Sequence, residues 1–151
     1  MITIRPVNEG DSTEILSWRN DVFTRTNSLN SKLVSLSEHK QWLSNCLVNP
    51  SVSLFLGEVG GEKLGICFFV ESKENVAKVS LNLNPKFRGK GLGTHFLKIS
   101  IDHFLQTWSG QLIAEIKPAN VASERCFLSA GFNLANTSLG LNVYSLSSSE
   151  K

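Results

Sequence analysis

Residues 88–94 of the chain read Arg-Gly-Lys-Gly-Leu-Gly-Thr, and this short stretch decides the fold. It follows a strand-like segment that ends at Asn84-Pro85, and from Gly91 onward the apolar residues recur at helical spacing. A glycine-rich turn that enters a helix can point successive backbone N–H groups at one anion, and the helix dipole favours negative charge there. Arg88 and Lys90 add positive charge. The stretch therefore predicts a loop that binds a pyrophosphate.

The spacing of the glycines narrows the class of phosphate binder. Gly89, Gly91 and Gly93 follow the pattern G-x-G-x-G, which differs from the G-x-G-x-x-G pattern of dinucleotide-binding folds. A Walker loop is excluded as well, because no G-K-[ST] follows the required four-residue gap. Taken alone, the loop could equally be an ordinary solvated turn, so its context in the chain has to decide.

Length and composition set the frame for that context. A chain of 151 residues that is 41% apolar can form one domain with a buried core, which we expect to span residues 1–151. The net charge of +2 is too small to predict a nucleic-acid partner or an anionic membrane surface. No apolar run approaches the roughly 18 residues of a spanning helix. We therefore expect a cytoplasmic protein with no membrane partner.

The cysteines do not suggest a metal site or a disulfide framework. Cys46, Cys67 and Cys126 are odd in number, far apart and embedded in apolar patterns. We interpret them as free, buried thiols, and we expect no metal.

The N-terminal half alternates between segments typical of strands and of helices. Ile2 to Pro6 reads as a short strand, Asp11 and Glu14 have the spacing of a capping box for a first helix, and Ser35 is an N-cap candidate for a second. Thr24 to Lys32 has no clear period. Two strand-like runs then flank Gly60-Gly61 as an antiparallel hairpin: Val52 to Val59 and Leu64 to Val70.

The C-terminal half continues this mixture. A strand near residues 76–83 leads into the glycine loop and a long helix whose apolar face reaches Trp108. Leu112 to Ile116 then reads as a strand, Ala119 to Ala130 as a helix, and Phe132 to Leu134 and Asn142 to Leu146 as two strands. The order of elements predicts an α+β architecture with a mixed sheet.

Two segments resemble the GNAT N-acetyltransferase superfamily. Arg88 to Gly93 matches its acetyl-CoA signature (Q/R)-x-x-G-x-(G/A), placed after the fourth strand as in the family. Ala114 to Ser123, followed by Phe127 and Ala130-Gly131-Phe132, looks like its fifth strand and fourth helix. The resemblance implies a mixed, mostly antiparallel sheet of about seven strands flanked by about four helices. It also implies a splay between strands four and five, a small-molecule amine acceptor, and a homodimer formed through the last strands.

The same resemblance implies which residues hold acetyl-CoA as co-substrate. Asn82 and Leu83 would hold the pantetheine with their backbone groups, and Asn120 would approach it from the other side. The pyrophosphate would lie against the loop of Arg88, Gly89, Lys90, Gly91, Leu92, Gly93 and Thr94. Ser123 and Phe127 would complete the binding surface.

The general acid of many family members is not evident here. These relatives place a tyrosine seven residues after the asparagine that matches Asn120, whereas this chain has Phe127. Ser123 is the replacement candidate, because some relatives, notably the ribosomal-protein type, have a serine there suited to hydrogen-bonding the thiol. A serine that merely packs a helix would look the same in sequence.

For the general base, Glu115 is the first candidate, because it lies among apolar neighbours on the strand expected to line the cleft. A strand carboxylate in an ordinary salt bridge would give the same pattern. Glu38 and His39, at the start of the second helix, are the alternative, since an imidazole titrates near neutral pH. These two residues could instead serve only as a helix cap and a solvated side chain.

The acceptor is suggested by two short runs. Trp18 to Asp21 and Glu38 to Trp42 resemble a GNAT subgroup that acetylates nucleotide-sugar amines in bacterial pseudaminic acid and related pathways. Arg19 could pair with a nucleotide phosphate, and Asn20 and His39 could bind sugar hydroxyls. Alternatively, these residues only pack and cap the first helices.

Two other functions fit the same motifs. The pattern from Asn120 to Ser123 also resembles acetyltransferases of protein N-termini, of the ribosomal-protein type, which need a peptide groove. A GNAT-fold module that binds acyl-CoA without transferring it is the third interpretation, and the absent tyrosine is consistent with it.

Overall fold

The alternating segments of the sequence pair into one sheet. A computed structural model describes residues 1–72 and 74–148. The strands are β1 (Ile2–Pro6), β2 (Val52–Val59), β3 (Glu62–Glu71), β4 (Val76–Leu83), β5 (Gln111–Ile116), β6 (Asn133–Ser138) and β7 (Leu141–Ser147). They lie in the order β1-β2-β3-β4-β5-β7-β6, and every neighbouring pair is antiparallel except β4 and β5. The predicted mixed sheet of seven strands is confirmed.

Five α-helices accompany the sheet in the described part of the chain. They are α1 (Ser12–Arg19), α2 (Val22–Asn27), α3 (Leu36–Val48), α4 (Leu92–Phe104) and α5 (Val121–Ser129), with short 3-10 turns at Glu9–Asp11 and Pro85–Phe87. The helices begin where the capping residues stand. At α3, for example, the Ser35 side chain accepts from the Glu38 N–H, and the Glu38 side chain accepts from the Ser35 N–H. The α+β class is therefore confirmed.

The helix α2 differs from the sequence-based expectation. It occupies part of the Thr24 to Lys32 stretch that showed no period, which is why about four helices were expected. Its sequence, Val-Phe-Thr-Arg-Thr-Asn, is rich in residues of modest helix propensity. The helix is instead fixed by its N-cap, where the Asp21 carboxylate accepts from the Thr24 N–H at 3.1 Å.

The capping box predicted at Asp11 and Glu14 is wrong. Asp11 makes no side-chain cap to α1, and the box lies one turn earlier, between Asn8 and Asp11. The Asp11 carboxylate is buried, and it accepts from Arg5 at 2.8 Å and lies 2.9 Å from the Lys63 ammonium. A short polar residue before a helix can thus serve tertiary pairing instead of its own helix.

The sheet separates two layers of helices. Successive residues of β2 alternate between them: Leu54 and Leu56 pack in one cluster with residues of α1 and α3, whereas Phe55 packs in the other with residues of α4. All three cysteines are free, as expected, but only Cys67 is buried, whereas Cys46 and Cys126 are half-buried against these clusters. The helix α4 ends at Phe104, earlier than its apolar pattern suggested, although Trp108 still packs on the core.

The sheet splits between β4 and β5. These parallel strands pair at only three positions, Val76 with Gln111, Ala77 with Leu112, and Lys78 with Ile113. Beyond Lys78 they diverge, so that facing edges of both strands are left without a strand partner toward their carboxyl ends. The predicted splay is confirmed, and it opens a cleft inside the sheet. None of the helices in the described ranges is long and apolar enough to cross a membrane.

Candidate active site

A cleft of about 340 Å³ lies between the separated ends of β4 and β5. Side chains of both strands line it, including Ser80 and Asn82 of β4 and Glu115 of β5. The helical layer of α1, α2 and α3 supplies further lining residues, which include Arg19, Thr24 and Trp42. The cleft therefore reaches from the split in the sheet to the three N-terminal helices.

The glycine loop leaves the carboxyl end of β4 and enters α4. Gly89 and Gly91 adopt left-handed backbone angles, with φ of +73° and +74°, and a Cβ on either residue would meet no atom within 4 Å. Backbone conformation, and not lack of space, is therefore what requires glycine at both positions. Both residues are exposed, and the first amides of α4 have no partner within the helix. This arrangement suits an anion.

Gly93 serves a different purpose from the two preceding glycines. A Cβ at this position would come within 3.1 Å of a methyl group of Leu83. The absent side chain thus lets the first turn of α4 approach the end of β4 closely. Leu83 is not one of the residues that line the cleft, in contrast to its neighbour Asn82.

The opposite wall of the cleft is the start of α5. Asn120 is its N-cap, with its side-chain oxygen accepting from the Ser123 N–H at 3.2 Å. Ser123 and Phe127 face the cleft one turn apart. Phe127 is buried and meets Phe132 edge to face at 5.0 Å. The cap thus orients the helix so that a serine hydroxyl and an aromatic ring border the cleft.

A strand-loop-helix anion site beside a split sheet is the arrangement that the sequence motif implied. The model of the acetyltransferase (GNAT) domain family matches residues 1–133 of the chain. This protein belongs to the GNAT acetyltransferase family. A search of curated protein sequences gave no match.

Solved GNAT structures share the fold over almost the whole chain. An aminoglycoside acetyltransferase AAC(6')-Ib in complex with coenzyme A and kanamycin is 19% identical, with a TM-score of 0.86, and the match covers 99% of this chain and 96% of that one. A spermidine N-acetyltransferase from Vibrio cholerae with CoA and spermine is 13% identical, with a TM-score of 0.85 and the same coverage. An N-acetyltransferase from Staphylococcus aureus is 22% identical, with a TM-score of 0.79, covering 97% and 98%.

As a GNAT family member, the chain is an N-acetyltransferase with acetyl-CoA as its co-substrate. The residues present fit that molecule: the open glycine loop offers backbone amides to a pyrophosphate, and the unpaired edge of β4 offers backbone groups to an amide-containing chain. The described residues hold no group of three or more His, Cys, Asp or Glu side chains that could bind a metal. The specific nucleotide-sugar and ribosomal-protein branches stay predictions.

The two cations of the GNAT loop differ in their surroundings. The Arg88 guanidinium points toward α2, where it donates to the Asp21 carboxylate and, at 2.8 Å, to the Thr24 hydroxyl. It also lies 4.7 Å from the centre of the Phe23 ring. Lys90 is exposed and forms no salt bridge within the described residues. Arg88 was expected to add counter-charge for the pyrophosphate, yet its side chain is engaged elsewhere.

Glu115 lines the GNAT cleft, as expected, but its neighbour is charged. Its Oε1 atom lies 3.0 Å from the Lys78 ammonium, and both side chains are half-buried. The apolar surroundings inferred from the flanking residues of β5 are therefore wrong, because the partner comes from the adjacent strand. Lys78 itself was missed.

Of the three residues expected to bind the acceptor, the structure brings only Arg19 to the cleft. Asn20 instead ties two backbone positions together: its side chain donates to the Val34 carbonyl at 2.8 Å and accepts from the Val34 N–H at 2.9 Å. His39 is completely buried, with no hydrogen-bond partner for either ring nitrogen among the described residues. Burial, assisted by the charge of Arg19, lowers the pKa of His39, and the nearby Ser12 backbone opposes this shift without cancelling it.

Sequence reasoning also missed other cleft residues. Ser80, like Lys78, alternates with apolar residues along β4, and this period of two was a readable signal of a polar face. Asn27 and Ser28, at the end of α2, gave no such signal. Their place in the cleft depends on a helix that the sequence pattern did not reveal.

Proposed function

We propose that this enzyme transfers the acetyl group of acetyl-CoA to the primary amine of an amino-sugar nucleotide bound in the cleft. The charge of the cleft supports this acceptor. Its ionisable lining residues are Arg19, Lys78 and Glu115, and Lys78 already neutralises Glu115. Arg19 forms no salt bridge within the described residues, so one positive charge remains for an anion.

Arg19 is held in place by an aromatic ring and not by a salt bridge within the described residues. Its guanidinium lies over the Trp42 ring, 5.2 Å from the ring centre. Stacking on an aromatic face leaves the N–H groups at the guanidinium edge free for a phosphate, to which they can donate in a bidentate manner. Kanamycin and spermine, the ligands in two of the similar structures, are polycations. In this cleft a polycation would be repelled by Arg19, and the carboxylate of the lining, Glu115, is already paired with Lys78.

The remaining lining is consistent with a sugar. Asn27, Ser28 and Asn30 offer amide and hydroxyl groups, which hydrogen-bond sugar hydroxyls in both directions. Trp42 and Phe68 meet at an angle of 75° and contribute apolar surface beside them. Binding sites of this kind combine an apolar wall with a few directional polar groups.

For the chemistry, acetyl-CoA supplies an activated thioester. Glu115 is the proposed general base that takes a proton from the acceptor ammonium, because it is the carboxylate of the cleft lining. The Ser123 hydroxyl is the proposed donor toward the leaving sulfur, since its own N–H, and not its side chain, serves the Asn120 cap. Backbone N–H groups on the edge of β4 that has no strand partner are the proposed donors to the thioester carbonyl.

The test is release of free CoA by the purified enzyme with a panel of acceptors. The panel pairs a UDP-amino sugar with the same amino sugar lacking the nucleotide, and adds spermidine, kanamycin and an N-terminal peptide, with a reaction without acceptor as the blank. The proposal expects the highest kcat/KM for the UDP-amino sugar. Selective turnover of the peptide would instead support the N-terminal acetyltransferase, and tight acetyl-CoA binding with no turnover would support a binding module.

The variant Arg19→Gln sharpens this test. Loss of a charge-assisted phosphate contact should raise KM for the UDP-amino sugar about 10-fold and leave KM for the free amino sugar nearly unchanged. An equal effect on both acceptors would remove Arg19 from the phosphate site. The homodimer that the resemblance implied stays a prediction; β6, at the edge of the sheet, is exposed along its length.

A further inference from the structure

The helix α2 lies across the open end of the cleft. Arg88 follows β4 and Lys117 follows β5, so the two residues leave the same end of the parallel pair on opposite sides of the split. Both bind α2: Arg88 through Asp21 and Thr24, and Lys117 by donating from Nζ to the Thr26 carbonyl at 3.1 Å. The helix is thus attached to both sides of the opening.

Apolar burial does not hold α2 in this place. None of its residues is buried, and Val22 and Phe23 remain 69% and 51% exposed. A six-residue helix is also too short to be stable by itself. Its position therefore depends on the polar contacts to Arg88 and Lys117, together with the cap from Asp21.

The same helix forms part of the acceptor side of the cleft. Thr24 and Asn27 line it, as does Ser28 immediately after the helix. A shift of α2 would move all three of these polar groups. Any residue that fixes α2 consequently affects the geometry of the acceptor site while lying outside it.

We propose that Arg88 is a positioning residue that holds α2 over the acceptor cleft through Asp21, and that Lys90 supplies the side-chain charge for the pyrophosphate. The guanidinium of Arg88 already has a carboxylate, a hydroxyl and an aromatic face as partners. Turning it toward a phosphate would leave Asp21 unpaired near a second anion. Lys90 has no carboxylate partner within the described residues, and its Nζ atom lies 5.9 Å from the centre of the Phe87 ring. The acceptor part of this inference rests on the proposed function.

The state of Asp21 is consistent with this role. Burial acts to raise the pKa of its carboxyl, but the hydrogen bonds from Arg88 and from the Thr24 N–H outweigh burial and lower the pKa. Asp21 is therefore ionised at neutral pH and available as the partner of Arg88. Because it also caps α2, a useful variant must keep the cap while removing the charge.

Asp21→Ser meets that requirement, because serine is a good N-cap but carries no charge. Four variants are compared without any acceptor: Arg88→Gln, Asp21→Ser, the double variant, and Lys90→Gln. Titration calorimetry gives the Kd for CoA, and hydrogen exchange gives the opening of the Val22–Asn27 amides. Since neither readout contains an acceptor, failure of the amino-sugar proposal would leave this test intact.

Loss of the contact between Arg88 and Asp21 should accelerate hydrogen exchange in α2 about 5- to 10-fold in Arg88→Gln and in Asp21→Ser. The double variant should show no further increase, because both substitutions break the same interaction. Their Kd for CoA should stay within about 2-fold of the parent value. Lys90→Gln should weaken CoA binding about 3- to 10-fold, which is the effect of one phosphate contact, and leave exchange in α2 unchanged.

The opposite pattern would overturn the proposal. If Arg88→Gln weakens CoA binding as much as Lys90→Gln does, Arg88 is a phosphate ligand. If Asp21→Ser tightens CoA binding, Asp21 competes with the phosphate for Arg88. If hydrogen exchange in α2 is unchanged in both Arg88→Gln and Asp21→Ser, other contacts position the helix.

Discussion

The ammonium of Lys78, the last residue of β4 that pairs with β5, lies 3.0 Å from Oε1 of Glu115, which follows the partner residue Ile113 by two positions. The ion pair therefore marks the inner end of the split, where two parallel strands stop sharing hydrogen bonds. It also means that the carboxylate proposed as base is supplied with a cation by the opposite wall of the cleft. The proposed reaction chemistry therefore involves a pair of residues and not Glu115 alone.

Glu115→Gln keeps the size of the side chain but removes its capacity to accept a proton. We expect kcat to fall about 100-fold, the usual contribution of a positioned general base, with the Kd for CoA unchanged within about 2-fold. Turnover with the acceptor is measured from about pH 6 to pH 10. Glu58→Gln, on β2 and outside the cleft lining, is the matched control. Full activity of Glu115→Gln across that range would exclude the base assignment.

Ser123→Ala tests the proposed donor at little risk to the fold. Alanine favours a helix, and the Asn120 cap uses the backbone N–H of this residue, which the substitution preserves. We expect kcat to fall about 10-fold, the effect of losing one hydrogen bond to a developing charge, and Ser123→Thr to retain most of the activity. If alanine turns over as fast as serine at every pH, Ser123 only packs α5.

Gly91→Glu should abolish CoA binding, because it adds bulk and negative charge where the pyrophosphate would lie. Gly140→Glu is the matched control: its φ of +79° is similar to the +74° of Gly91, and a Cβ would meet nothing in either place. Both substitutions therefore carry the same backbone strain, about 1 kcal/mol. Calorimetric titration with CoA should fail only for Gly91→Glu; an unchanged Kd would refute the loop assignment.

Much of this architecture could be predicted because its signals are local. The hairpin between β2 and β3 turns at Gly60 and Gly61, both at positive φ, as the sequence indicated. The strand β4, the glycine loop and the long helix α4 were also readable, since periodicity changes sharply at Gly91. The proposed cofactor side of the cleft is built from these neighbouring segments.

The proposed acceptor side could not be predicted in the same way, because its structure depends on residues that are distant in the sequence. Asp21 precedes a helix without apolar periodicity, and its partner Arg88 lies 67 positions later in the chain. His39 is a polar residue on a helix that also bears Trp42, and nothing in that local pattern indicates that its imidazole is fully buried. The pairing of Glu115 with Lys78 likewise depends on strand register, which a single strand does not reveal.

The buried carboxylate of Asp11 should make stability sensitive to acid. Burial acts to raise its pKa, but the hydrogen bonds from Arg5, the Asn8 N–H and Lys63 prevail and hold the pKa well below the usual range. Since the folded-state pKa lies below the unfolded one, near 4, this stabilisation is complete above about pH 5 and is lost as pH falls below 4. Chemical denaturation at several pH values measures the loss.

Asp11→Asn is the test of that account. Removing the charge leaves Arg5 and Lys63 without their shared partner, so the free energy of unfolding at pH 7 should fall by about 2 to 4 kcal/mol. The difference from the parent protein should shrink as pH falls from about 4 toward about 2, because the unfolded parent chain takes up a proton at Asp11 in that range while the folded protein still holds the carboxylate ionised. Glu62→Gln, at an exposed ion pair with Lys86, is the control and should change stability by less than about 1 kcal/mol. A constant difference at all pH values would contradict the linkage.

His39 should make the stability of the fold depend on pH in a second, higher range. Its imidazole is 0% exposed, and burial, reinforced by the nearby charge of Arg19, lowers its pKa. The unfolded chain therefore binds a proton near pH 6.5 that the folded protein takes up only at lower pH, so stability is full above about pH 6.5 and declines as pH falls through the range below it.

His39→Leu removes both this titration and two buried ring nitrogens that lack partners in the described residues. We expect the variant to be as stable as the parent or about 1 kcal/mol more stable at pH 8, with a flatter profile between about pH 5 and 6.5. Denaturation of both proteins across that range decides the matter: a large loss of stability at pH 8 would mean that the imidazole makes a favourable polar contact in the folded protein.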